Sequence, residues 1–293
     1  MECGWMYYNH AYLPDGGPQD TPDLQSLKDG SIWKTSKNKA LMARWTTDFD
    51  CGYDTGWWYC IKDSKFDINS VKAKIRYYIK KGVANFDVRV IDPVAYQEEI
   101  FDCAIKAFSV YPAAYRPTLN KDSFIKELYD WKNGQYVVFG AFEKENGTLQ
   151  GYALCHERDC CVDFNVQKTN PAYEKLQVNA ALVYGICEYY NERLSKDFYI
   201  CDGARNIMYE TNFQSYFEKY FDFRKAYCVL HLKYRNGVNF LVKLIFPFRK
   251  VIAKINNGLC KRISGVLKME EIMRKSKEKA RLVSKVALTE GKE

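Results

Sequence analysis

The stretch YVVFGAFEKENGTLQGYALCHERDCCVDFNV, residues 136–166, decides the fold of this chain. Residues 136–142 and 149–155 are apolar runs of strand length, and the Asn146-Gly147 pair between them is a strong signal for a hairpin turn. A third run of strand character, residues 161–166, follows after a short polar link. The stretch therefore predicts three consecutive strands, of which the first two are antiparallel neighbours.

The flanking sequence extends this pattern in both directions. Upstream, a strand over 86–91 and helices over about 92–110 and 122–132 are predicted from hydrophobic spacing and helix start signals. Downstream, the same signals predict a helix over about 172–194, a strand over 198–201, a helix over about 212–221 and a strand over 226–234. Residues 86–235 thus follow the order β-α-α-β-β-β-α-β-α-β, which defines an α/β (α+β) fold with a mixed, mostly antiparallel sheet flanked by helices.

The N-terminal part is predicted to be an extension of this domain. Residues 1–38 are rich in turn formers and read as irregular, whereas 40–49 and 56–61 are β-prone and could pair as strands. A short basic amphipathic helix is predicted over 69–81, ending at Gly82. We therefore expect three parts: an extension over 1–82, a core domain over 83–235 and a basic helical tail over 236–293.

The charge of the chain is concentrated in its tail. Residues 236–293 hold 14 Lys and Arg against 5 Asp and Glu, so the remaining 235 residues hold 30 against 31. A basic chain can bind nucleic acid, but the nearly neutral body gives that function little support. The eleven dispersed cysteines indicate buried thiols in a reducing compartment, and no metal-ligand spacing occurs. We expect a cytoplasmic protein without metal or transmembrane helix.

The order of elements over 86–235 resembles the GNAT fold, and two stretches are similar to the FemAB branch of that superfamily. They are residues 66–82, with the basic helix, and residues 199–228, which contain Asp202-Gly-Ala-Arg-Asn206. The resemblance implies an acyltransferase of the kind associated with bacterial surface polysaccharides. Its donor would be acyl-CoA, such as acetyl-CoA, or aminoacyl-tRNA, and tRNA would be a partner only in the second case.

The resemblance also implies where the donor binds. In GNAT enzymes the strand equivalent to 161–166 splays from the strand equivalent to 198–201, and the donor enters the gap. Backbone amides of the next turn then bind its pyrophosphate, which a helix N-terminus favours. Here that turn contains Gln167 and Lys168 as candidate binding residues but lacks the glycine-rich Q/R-x-x-G-x-G/A loop. The choice between the two donors therefore stays open.

Asp202 and Arg205 are the candidate catalytic residues, because they follow an apolar strand at the end where α/β proteins place ligand contacts. Asp202 could take a proton from an attacking amine, and Arg205 could clamp a phosphate or carboxylate. An ordinary strand-to-helix loop is the alternative. Further candidate binding residues in this region are Asn206, Asn212, Arg224 and Lys225, with capping of the preceding helix an equal explanation for the last two.

Other features allow both a structural and a functional explanation. Tyr115 and Arg116 lie where GNAT folds place an acceptor-binding loop, or they only connect two helices. Thr211 and Gln214 fit a capping box, which favours a structural role for Gln214. Of the adjacent residues Trp57 and Trp58, strand alternation buries one in the core.

Two functions follow from these features. The first is transfer of an acyl or aminoacyl group to a small amine, an amino sugar or a cell-envelope glycan precursor, and the second is a catalytically silent GNAT-like module that binds a glycan precursor or membrane partner. The tail offers a further partner, since the apolar residues and interleaved cations of 240–285 suit the inner face of an anionic membrane. Packing of its apolar stripe on protein is the alternative, and the sequence does not define the oligomeric state.

Overall fold

The structure, a computed structural model, describes residues 2–34, 40–113, 116–207 and 212–290. By contacts the chain forms two compact units, a smaller one from residues 1–60, 204–212 and 225–293 and a larger one from residues 61–203 and 213–224. The division into 1–82, 83–235 and 236–293 stays a prediction.

The described chain contains both strands and helices, several of which follow one another in runs of the same kind. The strands are β1 Glu2–Cys3, β2 Trp5–Tyr8, β3 Ala11–Pro14, β4 Thr21–Pro22, β5 Met42–Thr47, β6 Trp58–Lys62, β7 Phe86–Ile91, β8 Tyr136–Glu143, β9 Leu149–Glu157, β10 Cys161–Thr169, β11 Tyr199–Ala204, β12 Arg224–Tyr227 and β13 Val229–Tyr234. The α-helices are α1 Leu24–Asp29, α2 Ala73–Asn85, α3 Gln97–Ser109, α4 Lys121–Asn133, α5 Val178–Tyr190, α6 Asn212–Phe221, α7 Val238–Ile245, α8 Arg249–Ile252 and α9 Gly258–Glu290. Short 3-10 helices cover Ser31–Lys34, Pro171–Leu176 and Phe246–Phe248.

The sheet of the larger unit has the predicted connectivity. Its strands lie in the order β11-β10-β9-β8-β7, with antiparallel pairing from β7 to β10 and parallel pairing between β10 and β11. Helices α3 and α4 cover one part of the sheet through a cluster that includes Ile100, Leu128, Trp131 and Tyr152. The predicted α/β class and order of elements are confirmed.

The hairpin between β8 and β9 forms where Asn146-Gly147 predicts it. Gly147 has a φ of +71°, and its amide donates to the carbonyl of Glu143 over 2.8 Å. The Asn146 side chain accepts from the amide of Thr148 at 2.9 Å, which fixes the turn locally. The turn residues therefore set the register of the two central strands.

Three helices differ from their predicted bounds, and the first of them, α3, begins at Gln97, about five residues later than predicted. Helix α2 continues through Gly82 to Asn85. Gly82 permits close packing and does not end the helix, since a Cβ at this position would lie 2.7 Å from the carbonyl oxygen of Gln177. The predicted helix over 172–194 is instead a 3-10 helix followed by α5, and Gln177 separates them with a left-handed φ of 68°. Close packing of α2 against the start of α5 accompanies the last two differences.

The smaller unit corrects the prediction of an irregular lead-in. Strands β2 and β3 join a sheet of order β13-β5-β3-β2, and β1 pairs with β4. These N-terminal residues have a core of their own, in which Tyr12 is buried with Leu27, Ile32 and Ala43. The proposed pairing of 40–49 with 56–61 is wrong, because β5 pairs with β13 and β3. Similarly, the strand predicted over 226–234 is divided at Cys228 into β12 and β13.

Part of the tail lies in the core of the smaller unit, to which residues 225–293 belong. Helix α9 buries Leu267 and Ile272, and the hydroxyl oxygen of the buried Ser276 accepts the amide of Leu230 in β13 at 3.1 Å. These contacts make α9 a component of the fold. Within the described residues, no helix combines the length and apolar character needed to cross a membrane.

Candidate functional site

Strands β10 and β11 separate after three residue pairs. Their ladder joins Cys161 to Tyr199, Val162 to Ile200 and Asp163 to Cys201, and both strands then continue to Thr169 and Ala204. A register shift against β9 lies between Phe164 and Val166, at the point of separation. Such irregularities bend a strand and redirect its side chains. The splay that the GNAT resemblance implies is therefore present.

A cavity of about 690 Å³ lies in the larger unit beside this separation, within the size range of ligand pockets. Side chains from α3, α4, β9, β10, β11 and α6 and from the link between α3 and α4 line it. They are Phe108, Tyr111, Pro117, Leu119, Phe124, Glu127, Trp131, Tyr152, Phe164, Asn165, Val166, Gln167, Lys168, Asp202 and Phe213. Three predicted site residues, Gln167, Lys168 and Asp202, thus meet in one cavity, in which seven of the fifteen lining side chains are aromatic.

Asp202 lies on β11 in a partly buried position. Burial raises the pKa of its carboxyl from 3.8 to about 7, although a hydrogen bond from the Gln214 side chain lowers it. Gln214 also donates to the Gly203 carbonyl over 3.5 Å. A carboxylate with a pKa near neutrality can accept a proton from a reacting group and release it again at neutral pH.

Lys168 brings a positive charge to the same cavity. Its ammonium donates to the Tyr111 hydroxyl over 3.2 Å and lies 4.5 Å from the centre of the Phe108 ring. The cation is therefore positioned by a hydrogen bond and a cation–π contact. A phosphate or carboxylate that enters the cavity would meet this ammonium group.

Gln167 connects β10 to the start of α5. Its side-chain amide donates to Asn179 Oδ1 over 2.6 Å, and the Thr169 hydroxyl donates to the same oxygen over 3.1 Å. The other polar atom of Gln167, Oε1, is buried without a hydrogen-bond partner. Gln167 thus lines the cavity and at the same time fixes the strand end that bounds it.

The turn that follows β10 uses its own polar groups. Asn170 Oδ1 accepts the amide of Ala172 at 3.1 Å, and Pro171 between them has no amide hydrogen. Next to it, Gly82 of α2 lies so close that a Cβ there would be 2.9 Å from the Ala181 nitrogen. Helix α2 therefore covers the beginning of α5, which is where the GNAT resemblance would place a pyrophosphate.

The arginines predicted for the site are engaged elsewhere. Arg205 donates to the Gly56 carbonyl over 2.7 Å in the smaller unit, and Arg116 donates to the carbonyl of Tyr111 over 3.1 Å near the end of α3. Arg224 holds the Asp63 carboxylate with its Nε 3.1 Å from both oxygens. Within the described residues none of the three lines the cavity. The hydrogen bonds that the three arginines make to protein atoms are structural. Contacts of these arginines with a ligand remain a prediction.

The other candidate residues have the following positions. Lys225 lies 4.9 Å above the ring of Trp58, whereas Trp57 is the member of the tryptophan pair that is buried in the core. Asn206 is exposed after β11. Tyr115 and the side chain of Asn212 lie outside the described residues, as does Thr211 of the predicted capping box.

Several residues of the cavity were not predicted from the sequence. Phe124, Glu127 and Trp131 lie on one face of α4, and Glu127 places a carboxylate within an otherwise apolar stripe. An acidic residue at helical spacing between two aromatics is the signal that could have indicated it. Asn165 lies at the strand irregularity and gives no local signal of its own.

The fold of this chain is similar to that of solved structures. The chain is similar in fold to the crystal structure of FemX, as the order of elements over 86–235 predicts. The identity is 11%, 76% of this chain and 78% of FemX are covered, and the TM-score is 0.52.

Two further solved structures are similar to this chain at lower TM-scores. L-PGS from Bacillus licheniformis is 13% identical over 89% of this chain and 85% of its own, with a TM-score of 0.49. The C-terminal domain of a putative lysylphosphatidylglycerol synthetase from Agrobacterium fabrum is 11% identical over 82% of each chain, also at 0.49. No protein-family model and no curated protein matches the sequence.

Proposed function

We propose that this chain transfers an acyl or aminoacyl group to an amine within the cavity lined by Gln167, Lys168 and Asp202. The observation that supports this most is a carboxyl group with a pKa near 7 at the place where β10 and β11 separate. General bases of enzymes are often tuned to this range by burial.

The proposed reaction needs one proton acceptor and close positioning. The amine nitrogen attacks the carbonyl carbon of the donor, and Asp202 accepts the proton that the nitrogen loses. A carbon–nitrogen bond forms while the bond from the carbonyl carbon to the sulfur or oxygen of the donor breaks, and Asp202 passes the proton to that departing atom, which leaves as a thiol or hydroxyl. The aromatic walls, among them Phe108, Trp131 and Tyr152, would exclude water that competes with the amine.

The donor is either acyl-CoA, such as acetyl-CoA, or aminoacyl-tRNA. The engaged turn at Asn170 and the close approach of Gly82 to α5 support a donor that does not place a pyrophosphate there. This favours the aminoacyl-tRNA that the FemAB resemblance implies, with tRNA then a partner. For the acceptor, Lys168 supports an anionic small molecule, such as a phosphate-bearing precursor of a cell-envelope glycan.

A silent binding module is the second candidate, because the same engaged turn leaves the donor site without its usual glycines. A glycan precursor would then bind in the cavity without being acylated. For the tail, the partner remains the anionic surface of the membrane, at which the protein would be peripheral.

Thermal unfolding in the presence of acetyl-CoA, longer acyl-CoAs or an aminoacyl-tRNA preparation tests the proposal. A donor that binds only the folded protein stabilises it and so raises its melting temperature. At a free donor concentration one hundred times Kd, the stabilisation is about 2.7 kcal/mol. Product formation with that donor and a phosphate-bearing amino sugar should then be lost in Asp202→Asn. Stabilisation by the amino sugar alone, with no donor binding, would support the module and contradict transfer.

The role of Lys168 is tested in the same assay with a matched control. Lys168→Met should weaken binding of the anionic acceptor, whereas Lys126→Met removes an exposed lysine of α4 that does not line the cavity. Equal acceptor binding by both variants would show that the ammonium of Lys168 does not contact the acceptor.

A further inference from the structure

The segment that contains α7 and α8 exposes a row of large apolar side chains. Phe240 is 70% exposed, Leu244 58% and Phe248 61%. Soluble domains seldom expose several large apolar side chains in one continuous patch. We name this surface the tail face and define it by Phe240, Leu241, Leu244, Phe248, Val251 and Ile255, which are all among the exposed large hydrophobic residues of the described chain.

The opposite side of the segment is fixed to the protein. Val242 is only 4% exposed, and the ring of Phe246 lies between two guanidinium groups, 4.4 Å from that of Arg249 and 3.9 Å from that of Arg274 on α9. Arg249 also pairs with Glu271 of α9 over 3.6 Å. The segment is therefore held against α9 by its inner residues, and the apolar tail face is its outward side.

Positive charges are interleaved with the tail face. Lys243, Lys250 and Lys254 are exposed within the same segment, and the sequence has no Asp or Glu between Arg235 and Glu270. An apolar surface bordered only by cations matches the layer where lipid acyl chains meet anionic headgroups. A protein partner would have to offer an equally apolar surface with an acidic border.

We propose that the tail face, residues 240–255, inserts into the interface of an anionic lipid bilayer. The membrane-binding segment of the proposed function, residues 240–285, is thereby shortened to 240–255. The rest is excluded because α9 buries Leu267, Ile272 and Ser276 within the protein. The inference depends on the proposed function only for the choice of a membrane as partner. The transfer chemistry is a separate matter, since binding to lipid requires neither donor nor acceptor.

Co-sedimentation of the full chain with vesicles tests this inference without any acyl donor. Vesicles that contain phosphatidylglycerol should bind the protein at low salt and release it as salt rises, while pure phosphatidylcholine vesicles should bind it weakly. Each lysine near an anionic surface raises the partition coefficient about fivefold, so replacing Lys243, Lys250 and Lys254 by glutamine should lower it about a hundredfold.

The apolar contribution needs its own variant and control. Phe240→Ala, Leu244→Ala and Phe248→Ala combined should abolish vesicle binding with an unchanged melting temperature, because these side chains are exposed. The control combines Tyr77→Ala, Val110→Ala and Leu282→Ala, which removes three exposed apolar side chains elsewhere and should leave binding intact. Donor binding in these variants, measured separately, should equal that of the native chain.

Three results would overturn the inference. Full-length protein that ignores anionic vesicles at low salt has no membrane-binding tail face. Equal loss of binding in the apolar variant and its control would mean that any exposed apolar group suffices. A concentration-dependent dimer that only the tail-face variant loses, together with absent vesicle binding, would identify the surface as an interface between two copies of the chain.

Discussion

Replacing Asp202 by asparagine should make the protein more stable above pH 7 while it removes activity. Burial raises the pKa of this carboxyl from 3.8 to about 7, so the folded protein holds the proton more tightly than the unfolded chain. At a pH between these two pKa values, the native state binds more protons than the unfolded state. The free energy of unfolding therefore falls as pH rises through this range. At about 1.4 kcal/mol for each unit of pKa, the native carboxylate costs about 4 kcal/mol at pH 8 as a ceiling.

Urea unfolding of native protein and Asp202→Asn at several pH values between 4 and 8 measures this cost. The free energies of unfolding should differ least near pH 4, where the folded carboxyl is protonated and the unfolded one is still close to half protonated, and the variant should gain progressively up to about pH 8. Asp197→Asn removes an exposed carboxyl just before β11 and controls for the loss of one charge. A difference that does not change with pH, or a variant that is less stable at pH 8, would refute a buried carboxylate with a raised pKa.

Further predictions concern packing and turns, each measured by urea unfolding. Gly185→Ala should destabilise by about 1 kcal/mol, because its Cβ would lie 2.5 Å from Val88 Cγ1 and overpacking of about 1–3 kcal/mol exceeds the gain in helix propensity; Val88→Ala should restore the loss, and a stable single variant would contradict the close approach. Gly147→Val should cost about 1–2 kcal/mol, since φ is +71° and no neighbour crowds a Cβ there, whereas Gly147→Asn should cost less; equal costs would argue against backbone strain. Ser276→Ala should cost about 1–3 kcal/mol, because it leaves the amide of Leu230 buried without an acceptor, and an unchanged stability would show that α9 does not close the smaller unit.

Local signals allowed the larger unit to be predicted from its sequence. The Asn146-Gly147 turn fixes β8 against β9, and apolar runs of strand length flank it, so both the existence and the pairing of these strands follow from adjacent residues. Pairing between distant residues could not be predicted in this way. Strand β5 pairs with β13, which joins Met42 to Tyr234, and no local pattern identifies a partner so far along the chain.

The candidate site was predictable where position along a strand determines what a side chain faces. Asp202 and Lys168 lie on the two strands that separate, so their meeting in one cavity follows from the order of elements. The roles of arginines did not follow, because a guanidinium group bonds to whatever acceptor the fold brings near. Arg205 bonds to the carbonyl of Gly56 and Arg224 to the carboxylate of Asp63, and neither acceptor is close in sequence.

The smaller unit is assembled from both ends of the chain, which affects how it folds during synthesis. Residues 61–203 of the larger unit leave the ribosome before residues 225–293. Strand β5 therefore cannot pair with β13 until residues 229–234 have been synthesised. At about 5–20 residues per second, the distance from Thr47 to Val229 takes roughly 10 to 35 seconds to translate. During that interval one edge of β5 lacks its partner strand and can pair with another nascent chain. The larger unit therefore has time to fold first, and the rate of synthesis sets how long the smaller one is exposed to aggregation.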